Sequence, residues 1–305
     1  MNRLTERKII LIIRETRLAN LRARFATRMA AKFYVSRLGG DFGDYENEDA
    51  NYRSAIETAQ QSLATVARVQ VVDRKLLPNF VFGPQDVVVA LGQDGLVANT
   101  LKYLASHPLI GVNPDPKRWD GKLLPFSVVD LAKVAAETLA GKRPLHRVDM
   151  AEATLNTGTH LFAVNDFFIG VRGHSSARYR IASGGRSENH SSSGIIVSTG
   201  LGSTGWYRSL RTGAALIAGV QPPETDFAWD SGELRFTVRE PFPSRTTGTS
   251  IVAGKITRKA PLTIESHMGE GGVIFSDGIE SDFLEFNSGT KATITLAQRQ
   301  GVLVC

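Results

Sequence analysis

The chain holds a single cysteine, Cys305, and it is the last residue. An intrachain disulfide framework and a cysteine-based zinc site are therefore excluded. No apolar run exceeds the stretch Ile9 to Ile13. A membrane helix needs roughly 18 apolar residues, so no span and no membrane partner is expected. No block of five like charges exists, which removes a basic or acidic tail. The histidines at 107, 146, 160, 174, 190 and 267 show no metal-ligand spacing. They read as surface or structural groups, with His190 the one candidate for more.

What remains is an ordinary globular composition, 42% hydrophobic and 22% charged over 305 residues. At roughly 150 residues per domain, about two domains are expected. The formal net charge of +6 suits an anionic ligand as well as a nucleic acid. The positive charge is dispersed, densest at Arg14, Arg17, Arg22, Arg24 and Arg28, and no nucleic-acid partner is expected. Steep salt dependence of oligonucleotide binding would mark one. An Arg-rich, acid-poor start can be a transit peptide. Here an apolar strand begins at about residue 8 and leaves only seven residues for a leader, so a mature cytoplasmic protein is expected.

The first half alternates strand and helix signals. Residues 8–13 read as a strand, and Tyr52, Ile56, Ala59 and Leu63 fall at helical spacing. Val69, Val71 and Val72 form a second strand. Asp86–Leu91 is continuously apolar after its first residue, as a parallel strand covered on both faces should be. A helix from about Val97 to His107 and a strand at Leu109–Val112 follow. Ser127 is a plausible N-cap for a helix ending before Gly141. This pattern predicts an open Rossmann-like α/β domain, residues 1–143, with its ligand beyond the carboxyl ends of the strands. Residues 144–305 change character. Short alternating runs such as Leu234, Phe236 and Val238 are separated by Gly, Ser, Asn and Asp, which predicts a β-rich, sandwich-like domain.

Three stretches could carry chemistry. Leu91-Gly-Gln-Asp-Gly-Leu96 lies between a strand and a helix. Its glycines would let backbone N–H groups approach a phosphate, and Asp94 could serve as a base. Asp-Gly is equally an ordinary turn pair. No Gly-Lys-Ser/Thr follows, so this is not a Walker A loop. In Val164-Asn-Asp-Phe167 a polar pair interrupts an apolar strand. It is either a bulge or turn, or an amide and a carboxylate aimed at ribose hydroxyls or an adenine edge. Val197-Ser-Thr-Gly-Leu-Gly-Ser-Thr-Gly-Trp206 is either a flexible loop or a set of hydroxyls and N–H groups suited to a nucleotide.

Taken in order, Gly92-Gln-Asp-Gly-Leu96, Asn165-Asp166 and Thr199-Gly-Leu-Gly-Ser-Thr204 resemble the NAD kinase family. Its Gly-Gly-Asp-Gly-Thr, Asn-Glu and Thr-x-x-Gly-Ser-Thr-type motifs stand in the same order. Arg14-Glu-Thr-Arg17, Ile110-Gly-Val-Asn-Pro-Asp-Pro116, Ser192-Ser-Gly194, Trp206, Val238-Arg-Glu-Pro241 and Asp277-Gly278 resemble the mitochondrial-type branch. The resemblance implies transfer of the γ-phosphoryl group of ATP to the 2′-hydroxyl of the adenosine ribose of NAD or NADH, with Mg²⁺ bridging the phosphates. It further implies that Asp94 is the base and that Gly92 and Gly95 offer N–H groups to phosphate. Asn165 and Asp166 would hold the ribose and adenine side. Thr199, Gly202, Ser203 and Thr204 would line the dinucleotide site, between the domains, and the protein would be a homodimer. No residue is assigned to a metal.

The chain departs from the motif at Gln93, Leu96 and Asp166, and at Thr204 where the branch often has Lys. A positive φ at Gln93 would cost on the order of 1 kcal/mol. Leu96 removes a hydroxyl whose hydrogen bond is typically worth about 0.5–1.5 kcal/mol. Two other functions stay open: a superfamily kinase acting on a lipid or sugar hydroxyl, and a nucleotide-binding protein without activity.

Overall fold

The computed structural model describes residue 5 and residues 7–305. Most of the short segment considered above as a leader lies outside them. The chain divides into two compact units, Met1–His146 with Val302–Cys305, and Arg147–Gly301. From sequence, the second domain keeps the whole C-terminus. In the structure the last four residues belong with the first unit.

In the first unit, β1 (Lys8–Ile13), β2 (Arg68–Asp73), β3 (Val87–Leu91) and β4 (Pro108–Asn113) form a parallel sheet in the order β4-β3-β1-β2. Every residue of β3 is buried, as a central parallel strand requires. Helices α1 (Arg17–Phe25), α2 (Arg28–Arg37), α3 (Phe42–Ala64), α4 (Asp94–Leu101) and α5 (Leu131–Leu139) complete the layers, with short β5 (Phe126–Ser127) beside β4. Tyr52, Ala55, Ala59 and Leu63 of α3 pack with Val134 and Ala135 of α5 against Ile9, Leu11, Val87 and Val89. A capping box between Ser127 and Asp130 opens the turn that leads into α5.

Helices α1 and α2 are absent from the sequence expectation because their composition is polar and arginine-rich. Their starts are nonetheless encoded. Thr16 accepts the N–H of Ala19 at 3.1 Å and Thr27 accepts that of Ala30 at 3.1 Å. Helix α4 begins at Asp94, three residues before the expected Val97.

In the second unit, one sheet runs β10-β9-β14-β17, with β6 against β17 and β7 against β6. Its strands are β6 (Leu145–Leu155), β7 (His160–Ala163), β9 (Ala177–Ser183), β10 (Arg186–Ser192), β14 (Leu262–Ser266) and β17 (Lys291–Val304). The second sheet is antiparallel throughout, in the order β13-β12-β11-β8-β15-β16. It comprises β8 (Asp166–Val171), β11 (Ile195–Ser198), β12 (Leu234–Val238), β13 (Ala253–Ile256), β15 (Gly272–Ser276) and β16 (Ile279–Glu285). Phe167, Ile169, Phe236 and Ile274 of this sheet share one core with Tyr179, Ile181, Ile264 and Ile294 of the first. The outer face of the second sheet carries Phe168, Ile196 and Val273, covered by Trp206 and Leu210 of α6 (Trp206–Ile217). The final residues of β17 leave this unit, and Val302 and Leu303 pair parallel with Pro108 and Leu109 of β4. The fold is thus mixed α/β: a parallel sheet with helices, then a sandwich-like β unit.

Candidate active site

The Gly-rich loop leaves the carboxyl end of β3. The Gly92 N–H donates to the carbonyl of Val112 at 3.1 Å, so it is committed within the fold and not presented to a phosphate as expected. Leu96 folds back over Gly92: a Cβ on Gly92 would lie 2.8 Å from Leu96 Cδ2. The residue that replaces the motif threonine is therefore buried packing and explains the first glycine. Gln93 has φ −114° and ψ 165°, ordinary extended backbone, so the cost that a positive φ would carry does not arise. Gly95 is exposed, with no neighbour within 4 Å of a Cβ built there. It lies in the first turn of α4, where N–H groups lack intrahelical acceptors.

Asp94 opens α4, where an acidic residue suits the helix dipole. Its carboxylate accepts the N–H of Leu123 at 2.8 Å and that of Lys122 at 3.2 Å. The loop that supplies them is pressed against β4: a Cβ on Gly111 would lie 1.9 Å from the Leu123 carbonyl oxygen. Asn113 shapes the same loop, donating to the Trp119 carbonyl and accepting the Asp115 N–H. The Ile110–Pro116 segment therefore builds the cradle that holds Asp94. Half-buried and fixed at two oxygens, the carboxylate keeps lone pairs for a further donor.

Behind the loop, buried Tyr52 bridges the ends of β1 and β3. It accepts the Arg14 N–H at 3.0 Å and donates to the Leu91 carbonyl at 2.7 Å. Burial pushes its phenol up to about 12, so the donor proton is retained at neutral pH.

In the second unit, Val164 and Asn165 form the bend where the chain leaves β7 in one sheet and enters β8 in the other. Asp277 takes the N–H groups of Val164, Asn165 and Asp166 at 3.0, 2.7 and 3.3 Å. The Asp277 N–H returns to the Asp166 carbonyl at 2.9 Å. Thr199 fastens the loop after β11 to the same bend. Its hydroxyl donates to the Val164 carbonyl and its N–H donates to that of Asn165 at 3.0 Å. A Cβ on Gly202 would lie 2.1 Å from the Asn165 carbonyl oxygen, so only glycine allows this approach.

Three sequence-distant motifs thus meet, and their residues divide by role. Thr199 and Ser203 are buried with their hydroxyls turned inward, Thr199 onto Val164 and Gly202, Ser203 onto the Gly200 carbonyl. They shape the loop. Thr204 is exposed. Asn165 and Asp166 are half-buried, and neither side chain has a hydrogen-bond partner among the described residues. Burial, and then the charge of Asp277, push the Asp166 carboxyl up to about 7. His190 is buried against Glu188 at 2.6 Å and is structural.

A cavity of about 380 Å³, which the sequence did not announce, lies on the same face of β8 as Asp166. Phe168 stacks on Trp206 with an interplanar angle of 5° and on Phe275 at 4.9 Å between centroids. The Arg239 guanidinium stands over Phe168 and Trp206 at 5.8 and 5.4 Å. Glu240, also lining it, has φ 46°, an uncommon conformation for a residue with a side chain. The Val238–Pro241 motif and Trp206 were signals for this feature, but their meeting depends on strand pairing.

Among the described residues no group of three or more His, Cys, Asp or Glu could hold a metal ion, and no helix is long and apolar enough to cross a membrane.

No protein-family model matches the chain. An NAD kinase from Chlorobaculum tepidum is 29% identical over 137 residues, 44% of this chain. The matched part spans 46%, about half, of that relative's length. An NAD kinase from Archaeoglobus fulgidus, solved in complex with ATP, superposes with a TM-score of 0.59 at 16% identity, covering 98% of this chain and 93% of its own. Yeast NADH kinase complexed with NADH gives 0.56 at 14% identity, covering 99% of this chain and 84% of its own. The chain shares the fold of these kinases.

Proposed function

We propose that this protein is an NAD kinase of the mitochondrial-type branch, transferring the γ-phosphoryl group of ATP to the 2′-hydroxyl of the adenosine ribose of NAD or NADH. The observation that carries this is the pair Asn165 and Asp166, an amide and a carboxylate without hydrogen-bond partners among the described residues, on a bend that Asp277 and Thr199 fasten. Such groups are suited to ribose hydroxyls and an adenine edge. The aromatic floor of Phe168, Trp206 and Phe275 with Arg239 offers stacking and positive charge to the rest of a dinucleotide. The ordered motifs, the shared fold and the partial match to an NAD kinase support the assignment.

Phosphoryl transfer needs positioning, charge neutralisation and an oriented nucleophile. Asp94, fixed by two backbone N–H groups, takes the ribose hydroxyl proton as the new O–P bond forms and ADP leaves. The N–H groups at the start of α4, with Gly95 among them, face the donor phosphates. Magnesium entering with the nucleotide would supply further charge neutralisation.

One observation favours a second function, a dinucleotide-binding protein without turnover: Asp94 has a structural duty and the Gly92 N–H is already used. Incubation with NAD or NADH, Mg²⁺ and ATP or polyphosphate separates the two. NADP(H) formation supports the kinase. Tight NAD binding with no product on any donor supports the binder. The same preparation in sedimentation reports the proposed homodimer.

A further inference from the structure

We propose that Arg14 is a contact for the terminal phosphates of the phosphoryl donor, a residue that supplies what the altered Gly-rich loop lacks. This rests on the kinase assignment.

Arg14 follows the last residue of β1 at the carboxyl edge where donor phosphates would lie, next to the end of β3. Its Cδ is 3.8 Å from the position a Cβ on Gly92 would take, so the side chain lies against the loop. The guanidinium is preset in three ways. Its Nη2 donates to Glu48 at 2.9 Å, its Nη1 to the Glu15 carbonyl at 2.9 Å, and it lies over the Tyr52 ring at 4.9 Å. Glu48, 4% exposed, is also held by Arg17 Nε at 2.6 Å, so two cations share one buried carboxylate.

The Arg14 Nε is buried and has no hydrogen-bond partner among the described residues. Arg118 and Arg239 share that condition. Arg14 differs in its place, beside Gly92. A buried N–H normally finds an acceptor, and a phosphate oxygen at this loop would be one. Two phosphate donors are missing from this loop: the Gly92 N–H serves Val112, and position 96 carries Leu instead of a hydroxyl. A guanidinium with further N–H groups answers both losses, since it binds phosphate at several points.

Titration of the purified chain with inorganic tripolyphosphate and with ATP, in parallel with NAD, tests this. Arg14→Met should weaken both polyphosphate ligands by about tenfold or more, the size expected for a charged hydrogen bond, and leave NAD affinity unchanged. In turnover the KM for the donor should rise while that for NAD does not. Arg14→Lys keeps the charge and a partner for Glu48 but has no Nε–H, and should show an intermediate loss, so the assignment remains testable if Arg14→Met misfolds. Polyphosphate binding unchanged in either folded variant, or absent from the parent chain, overturns the proposal. Arg14-dependent tripolyphosphate binding in a chain that makes no NADP would remove the kinase assignment and leave the phosphate contact standing. NADP formation with unaltered donor KM in both variants would do the reverse.

Discussion

The Asp277 carboxylate accepts the backbone N–H of Asn165 at 2.7 Å, while Asp277 itself sits at φ 56° before Gly278. One acid at a turn between β15 and β16 thus fixes the bend from which Asn165 and Asp166 project. Hydrogen bonds to a charged group are worth about 1.5–3 kcal/mol each, and removing the acceptor leaves buried donors unpaired. Asp277→Ala should therefore destabilise the protein by roughly 3 kcal/mol or more, read by urea denaturation, and weaken NAD binding. Asp277→Asn tolerates the left-handed backbone and keeps one acceptor oxygen, so its loss should be clearly smaller.

Asp166 gives a pH signature. Its carboxyl is raised from 3.8 to about 7 by burial, then by Asp277. Between these values the folded state holds a proton that the unfolded state has lost. The contribution to stability is full below about pH 4, falls as pH rises toward 7, and is flat above. Asp166→Asn should abolish this dependence, seen as parallel thermal-unfolding curves across the window. A ribose hydroxyl donates best to the ionised form, so NAD affinity should rise through about pH 7 in the parent chain and lose that rise in Asp166→Asn.

Two glycines should respond in opposite ways. Gly202→Ala drives a methyl into the Asn165 carbonyl, 2.1 Å away. It should cost about 1–3 kcal/mol or more and reduce NAD affinity by displacing the bend. Gly95→Ala meets nothing within 4 Å and should raise stability by about 0.5–1 kcal/mol through helix propensity.

Restoring the motif threonine has a structural cost. Leu96 is 3% exposed and packs on Gly92, so Leu96→Thr should lose about 2 kcal/mol of stability. Gln93→Gly relieves no strain, because φ is already −114°. The double variant is expected to turn over faster through the regained hydroxyl, with a lowered melting temperature. Unchanged turnover would dismiss the hydroxyl as a factor.

What could be read from sequence follows from periodicity. Residues 8–13 were legible as a buried strand and 86–91 as a parallel one because each run is continuously apolar after its first residue, and Leu234, Phe236 and Val238 because they alternate. Helices α1 and α2 were not, since short helices rich in arginine carry little apolar signal and start at Thr caps. The motif residues were visible, but their division of labour was not. Only tertiary contact reveals that Thr199 and Ser203 turn inward, that Gly92 spends its N–H on Val112, and that Asp277 binds the Asn165 bend. The aromatic cavity joins Phe168, Trp206, Arg239 and Phe275 from four segments, a meeting that no local pattern announces.

The proposed kinase reaction turns on Asp94 acting as the base at the ribose 2′-hydroxyl. The most direct measurement supplies γ-labelled ATP, Mg²⁺ and NAD to the parent chain and to Asp94→Asn, and follows the label. Label should appear in NADP from the parent chain, and folded Asp94→Asn protein should bind NAD with similar affinity yet transfer label at least about a hundredfold more slowly. Equal transfer by both proteins, or none by the parent chain on any donor, would contradict it.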